Sequence, residues 1–221
     1  MELSTIVARD LPEAWYLCIK ECMDNGFTHH IDKGSHQGME RRELDSITLL
    51  VKEPGHRPLV PDVPEGVPPP TSMDYVEKYL PYLMCGVKEK NELYTYGDDL
   101  DAQITELVKI YRQSKEESGG YGTNQACMSV GSWKSIFLEH SQCLRVVDTR
   151  IKDNKLHMYV YFRSWDLWAG FPSNLAAIQL MKEYIVSELG VEDGELIAYS
   201  KGLHIYSHDW KVANMLLRRA Q

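Results

Sequence analysis

Cys143-Leu144-Arg145-Val146-Val147-Asp148-Thr149-Arg150-Ile151-Lys152-Asp153-Asn154-Lys155-Leu156-His157-Met158-Tyr159-Val160-Tyr161-Phe162-Arg163-Ser164 is the stretch whose reading decides the fold. Two runs rich in β-branched and aromatic residues, Leu144 to Lys152 and Leu156 to Phe162, flank the short connection Asp153-Asn154, which predicts an antiparallel hairpin. With the turn centred there, pairing arithmetic sets Arg163-Ser164 level with Cys143. Downstream, Leu175, Ile178, Met181, Ile185 and Leu189 mark a strongly apolar, central helix ended by Gly190. Short strands at 195–199 and 204–207 and an amphipathic helix at 210–219 follow. Upstream, Asp10 caps a helix that has Pro12 in its first turn and ends before Gly26. A His/Gly-rich turn spans 28–38, a strand covers 45–51, and 126–130 is a further strand. Helices are expected at 71–84, where Pro81 should kink or end the helix, and at 100–111. Helices and strands are partly segregated and the pairing is antiparallel, so the expected class is α+β rather than a doubly wound parallel sheet.

The chain has 221 residues, 43% of them hydrophobic, with 13 Tyr and 5 Trp, enough for one sizeable core and against global disorder. A single domain over 1–221 is expected. Seven of the ten prolines fall between Pro54 and Pro70, which makes that stretch a stiff surface loop, read as a passive connection ahead of a lid. No export signal or run of about 18 apolar residues is present, and five cysteines without disulfide-like spacing fit a reducing interior, so the expected location is cytoplasmic. A net charge of −8 disfavours general nucleic-acid binding, while converging Arg side chains could still hold a small anion.

Three clusters can carry chemistry. A thiolate is a strong nucleophile, and Cys143 beside Arg163 is placed where a fixed cation would lower its pKa. Cys18 and Cys22, four apart on one helix face, lack completing metal ligands and read as core. The second cluster, Arg163 to Asn174, is a strand that runs into the apolar helix; its simplest reading is a capped helix entry with Trp165 and Trp168 closing the core. In the third, Gly202 to His208, strand alternation sends His204 and Tyr206 to one face.

In order and spacing, these clusters resemble the thymidylate synthase and pyrimidine hydroxymethylase superfamily. Cys143 precedes Arg163-Ser164 by twenty residues, Asp166 and Asn174 keep their offsets around Gly170-Phe171-Pro172-Ser173, and His204-Ile205-Tyr206 follows. Tyr94-Thr95-Tyr96-Gly97 is similar to the family's Tyr-Gly segment, and the short length with Asp10-Leu11-Pro12-Glu13-Ala14-Trp15 looks most like the compact enzymes of methanogenic archaea. The resemblance implies a thymidylate synthase-like fold with a mixed or antiparallel sheet on a buried helix. It implies that Cys143 adds to pyrimidine C6, that Arg163 and Ser164 bind phosphate, and that Asp166 lines the pyrimidine and folate region. Asn174 would hold the uracil edge, His204 and Tyr206 the ribose, and Tyr96 would organise proton transfer at C5. Glu77 stands for the family's general base, and Arg42, ahead of Arg41, for an N-terminal phosphate ligand.

There are departures. Thr123-Asn124-Gln125-Ala126 stands where the family has an Arg pair, with Arg145 or Arg150 as substitutes; Gln142 and Leu144 flank the cysteine, and the chain lacks the family's long C-terminal segment. The implied reaction is one-carbon transfer from methylenetetrahydrofolate or a related pterin to C5 of dUMP, giving dTMP, without a metal. A hydroxymethylase and a non-catalytic nucleotide-binding homologue are the alternatives. A homodimer is implied, with neither nucleic acid nor membrane as a partner.

Overall fold

In a computed structural model, residues 1–34, 36–86, 88 and 94–219 are described. Ser35, inside the expected turn at 28–38, and the terminal Gln221 lie outside them.

The order of elements is β1 (Ser4–Ala8), α1 (Leu11–Asn25), β2 (Phe27–His30), β3 (Glu40–Leu44), β4 (Ile47–Val51), α2 (Met73–Met84), α3 (Gly97–Ser118), β5 (Cys127–Ser129), β6 (Leu144–Lys152), β7 (Lys155–Phe162), β8 (Trp165–Asp166), α4 (Gly170–Leu189), β9 (Glu192–Ser200), β10 (Leu203–Tyr206) and α5 (Trp210–Leu216). Among the described residues the strands form a six-stranded sheet, β1-β4-β9-β7-β6-β5, and a four-stranded one, β2-β3-β10-β8. Both are mixed: β1 runs parallel to β4, β7 to β9 and β8 to β10, and the other neighbours pair antiparallel.

The β6–β7 hairpin forms as read. Asp153 and Asn154 take φ of 53° and 59°, the paired left-handed conformations of a two-residue primed turn, which Asp and Asn tolerate best among residues with a side chain. Lys152 then pairs with Lys155 and Leu144 with Phe162, and the Arg163 N–H donates to Cys143 O at 2.9 Å. Along β7, Leu156, Met158, Val160 and Phe162 are buried while His157, Tyr159 and Tyr161 are half-exposed, so one sheet face meets the core.

That face is covered by α4. Phe171, Leu175, Ala176, Ala177, Ile178, Met181 and Ile185 are all buried, a helix apolar on most of its circumference and therefore central. Each such Leu or Ile contributes on the order of 2 kcal/mol of burial. Helix α1 begins as read, the Asp10 carboxylate accepting from Glu13 N at 3.0 Å, and its Trp15 side chain donates to Leu167 O at 3.0 Å. That bond ties the first helix to the turn leading into α4. Cys18 and Cys22 are buried in this core, as expected of small apolar side chains, and burial pushes the Cys22 thiol up to about 12.

Several boundaries differ from the sequence reading. Helix α2 runs past Pro81 to Met84: the proline forfeits only the bond its own nitrogen would donate, and the Cys85 N–H still closes the last turn on Pro81 O at 2.9 Å. Helix α3 is longer than expected, ending where Gly119 takes φ of 77°. Strands β1, β2 and β3 were not foreseen. The first is a short edge strand beside β4, and β2 and β3 carry no apolar alternation, since three of the four β2 residues are polar and β3 reads Glu-Arg-Arg-Glu-Leu. The proline-rich stretch between β4 and α2 contains neither helix nor strand.

Candidate active site

Most of the polar residues singled out above lie where β8, β10, the ends of β6 and β7, and the N-terminal turn of α4 meet. The hairpin register places Cys143 beside Arg163. Two of the guanidinium's five donors are spent on the loop before the cysteine: Nε donates to Gln142 O at 3.0 Å and an Nη to Ser141 O at 2.6 Å. Arg163 therefore shapes the backbone that carries the nucleophile and keeps donors for an anion.

The electrostatic expectation for Cys143 is reversed. Arg163 does pull its pKa down, but burial is the larger effect and holds the thiol above its ordinary value. Cys143 is half-buried, and one cation does not compensate for the water it has lost.

Tyr96 OH accepts from the N–H of Leu144, next to the nucleophile, at 3.4 Å, and burial raises the phenol well above its usual value. Gly97 is required after it, because a Cβ there would collide with the backbone at Cys85 and Gly86. Tyr94, quoted in the Tyr-Gly segment but given no role there, lies in the same cluster, its pKa raised first by burial and then by the Cys143 charge.

Asp166 accepts from the main-chain N–H groups of Trp168, Ala169 and Gly170 at 3.2, 3.2 and 2.9 Å. It thus caps the α4 entry, as the simplest reading of that cluster had it. Its side chain also lines a cavity of about 620 Å³ with Gly170, Ser173, Asn174, Tyr75, Tyr79 and residues 69–72.

His204 is 2% exposed. Its Nδ1 faces Gly202 O at 2.9 Å, so Nδ1 carries the proton and Nε2 is left a buried acceptor without a partner. Burial pushes its pKa down to about 4. Tyr206 packs edge-on to His204 at 4.8 Å and stacks on His36 at 4.1 Å, bringing a residue of the β2–β3 turn to the site. Ser164 is half-buried on the segment between Arg163 and β8.

Two expected residues are not brought in. Arg42 lies on the opposite face of β3, donating to Met23 O and resting 5.7 Å from the Trp210 ring. Strand alternation gives the site Arg41 instead, paired with Glu43 at 2.7 Å and acting electrostatically on both His204 and Tyr206. Glu77 is exposed on α2. The α2 side chain at the site is Tyr79, whose OH accepts from Asn174 Nδ2 at 2.9 Å. A sequence signal existed: Tyr75, Tyr79 and Tyr82 share one helical face, with ring centroids 6.3 and 5.2 Å apart, and Tyr82 meets Tyr96 at 5.5 Å. Of the substitutes for the absent Arg pair, Arg150 is exposed and donates to Asn124 Oδ1 at 3.3 Å.

The backbone as a whole superposes on thermostable thymidylate synthase A from Bacillus subtilis with a TM-score of 0.70, covering 96% of this chain and 85% of that one at 18% identity. The chain has the thymidylate synthase fold. The thymidylate synthase family model matches residues 123–221, which include Cys143, Arg163, Asn174, His204 and Tyr206. Methanogen proteins carry the likeness further. A "Putative thymidylate synthase" of Methanococcoides burtonii is 23% identical over 98% of this chain and 95% of its own length. Another, from Methanocaldococcus jannaschii, is 27% identical over 67% of this chain and 70% of its own length. Among the described residues no helix is long and apolar enough to cross a membrane, and no group of three or more His, Cys, Asp or Glu is arranged to hold a metal ion.

Proposed function

We propose that the protein transfers a one-carbon unit from methylenetetrahydrofolate, or a related pterin, to C5 of dUMP. The observation that carries this reading is the grouping of one half-buried thiol, Cys143, with Arg163, Tyr96 and the His204–Tyr206 pair, next to Asp166 and Asn174, which line a cavity of about 620 Å³. That cavity suits a flat pterin: Tyr75 and Tyr79 offer rings, Pro69 and Pro70 apolar surface, and Asp166 a carboxylate. The pterin, when bound, supplies the one-carbon unit and the hydride.

The chain's own residues do the rest. Cys143 Sγ adds to C6, which makes C5 nucleophilic, and leaves again once C5 has been substituted. Its raised pKa keeps the resting thiol protonated, so as Sγ bonds to C6 the C5=C6 electron pair shifts to form the C4–O4 enol and the thiol proton passes to O4; the substrate's phosphate would take up the donors Arg163 retains. His204 Nε2 accepts from a ribose hydroxyl, which satisfies its orphaned lone pair, and Tyr206 contacts the same sugar. Asn174 meets the uracil edge, Ser164 assists at the phosphate, and Tyr96, held neutral, orders the proton transfer at C5. Arg41 replaces Arg42 at the phosphate end in this reading.

The protein works as a cytoplasmic homodimer made through the outer face of the large sheet, where Tyr159 and Tyr161 are half-exposed and Tyr199 is 41% exposed. Incubation with dUMP and methylenetetrahydrofolate should yield dTMP with dihydrofolate absorbance. Hydroxymethyl product without dihydrofolate would make it a hydroxymethylase, and nucleotide binding without product would make it a non-catalytic homologue. Cys143→Ser should lower turnover by more than about 10³-fold with an unchanged unfolding midpoint; retained activity removes Cys143 from the mechanism.

A further inference from the structure

Asn174 does not stand free at its rim. The indole N–H of Trp165 donates to its Oδ1 at 3.0 Å, and its Nδ2 donates to the Tyr79 hydroxyl at 2.9 Å. An indole nitrogen can only donate, so the atom facing it must be the amide oxygen. The orientation of this amide is therefore dictated by chemistry as well as by geometry.

We propose that Trp165 and Tyr79 are positioning residues that lock the Asn174 amide in one orientation, and that the lock makes the site select a lactam-edged pyrimidine, uracil, over the amino-edged cytosine. The proposal rests on the nucleotide reading above and adds to it the residues that decide the base. After its two internal bonds the amide keeps one lone pair on Oδ1 and one N–H on Nδ2, an acceptor beside a donor. Uracil offers N3–H and O4, the complementary pair. Cytosine offers a bare N3 and an amino group, so acceptor meets acceptor and donor meets donor. Turning the amide over to suit cytosine would aim its NH₂ at the indole N–H, which leaves a buried donor unpaired.

The lock is rigid because both partners are held. Trp165 is 3% exposed, stacked on Phe162 at 4.0 Å with an interplanar angle of 5°, and packed against Phe171 at 4.5 Å. Tyr79 sits in the tyrosine row between Tyr75 and Tyr82. Having accepted from Asn174, its oxygen keeps its own hydrogen for an acceptor in the cavity that Tyr79 and Asn174 both line. A carbonyl oxygen is such an acceptor and an amino group is a poor one. Burial holds the Tyr79 phenol well above its usual pKa, with Tyr96, Tyr82 and Tyr75 adding to the effect, so it remains a donor throughout the neutral range.

Equilibrium binding of dUMP and dCMP to the full-length protein tests the lock. The wild type should prefer dUMP by at least about 100-fold, as expected when a polar site faces a mismatched hydrogen-bonding edge. Trp165→Phe keeps a ring in the stack but frees the amide to turn. It should cut the preference to about tenfold or less by strengthening dCMP binding, with dUMP affinity within about threefold of wild type. Tyr79→Phe should narrow the preference from the other side, by weakening dUMP. A Trp165→Phe protein with native circular dichroism and an unchanged dUMP/dCMP ratio overturns the lock and leaves the nucleotide reading standing. If that variant does not fold, the wild type still decides: its Trp165 indole N–H should be strongly protected from hydrogen exchange, and exchange as fast as that of an exposed indole overturns the lock. Equal binding of the two nucleotides by the wild type also overturns it, whereas binding of neither sinks both the lock and the function proposed above.

Discussion

Helix α4 carries polar side chains in two places, and the two places differ in what they leave over. Near its middle, Lys182 and Glu183 are met by opposite charge inside the protein, and Gln179 spends its amide N–H groups on the same network while its Oε1 is left without a hydrogen-bond partner. Lys182, whose side chain is 0% exposed, meets Asp193 at 2.9 Å and the main-chain oxygen of Gly194; Gln179 donates to Asp193 at 2.8 Å; and Glu183 takes Arg57 at 2.7 and 2.8 Å in a two-pronged pair. Arg57 also donates to Gly55 O at 2.7 Å, so this network fastens the start of the proline-rich stretch to the core helix. In the first turn, Asn174 is held by Trp165 and Tyr79 yet keeps a donor and an acceptor, and nearby His204 keeps a bare nitrogen. The mid-helix network matches charge with charge and leaves an acceptor open only at Gln179, away from the cavity; the open groups at Asn174 and His204 lie where the site residues meet, and there a ligand can satisfy them.

The sharpest way to break this contrast is at Lys182. Lys182→Ala leaves Asp193 facing a void, and urea unfolding should show a loss of about 3–5 kcal/mol. Activity per folded molecule should survive, because Lys182 touches no part of the site; loss of activity without loss of stability would merge the two regions.

His204 should give the next largest effect, visible only in acid. Its folded pKa of about 4 lies below the ordinary 6.5, so the unfolded chain takes up the proton first. The stability gained from a neutral His204 is fully present above about pH 6.5 and is lost as pH falls toward 4, by up to about 3 kcal/mol. Arg41 and His36 favour the neutral form, and Asp166 opposes it. Chemical denaturation between pH 7 and 4 should show this slope in the wild type and a shallower one in His204→Gln; identical slopes would deny the burial argument.

A smaller effect belongs to Cys143. Its raised pKa predicts that alkylation by iodoacetamide gains speed only above the pH at which a free thiol does, and that Arg163→Gln moves the profile further up. An unshifted profile would mean that Arg163 does not act on the sulfur. The smallest effect is expected at Glu77, an exposed side chain on α2: Glu77→Ala should change stability by less than about 0.5 kcal/mol and turnover hardly at all. A large fall in turnover would return the general-base role to it.

Local chemistry made much of this protein legible from its residues. The primed turn at Asp153-Asn154, the cap at Asp10, the stop at Gly190 and the apolar run of α4 each depend on neighbours a few residues away, and each appears where the pattern placed it. The juxtaposition of Cys143 and Arg163 was readable for the same reason, since a tight hairpin turns spacing into register.

What the chain order could not convey is which residue of a pair faces inward and which effect prevails once water is gone. Arg41 rather than Arg42, and Tyr79 rather than Glu77, reach the site because β3 and α2 are rotated by packing against α1 and α4, contacts that join segments more than 90 residues apart at Tyr79 and Asn174. The Cys143 thiol is raised rather than lowered because burial, a property of the assembled core, outweighs one neighbouring cation. The sequence alone determined the helices, the central hairpin and most of the reactive groups, since these follow from short-range sterics and residue chemistry. Only the tertiary structure decided their orientation, their protonation and the two partners that hold Asn174, because each depends on solvent excluded by residues distant in the chain.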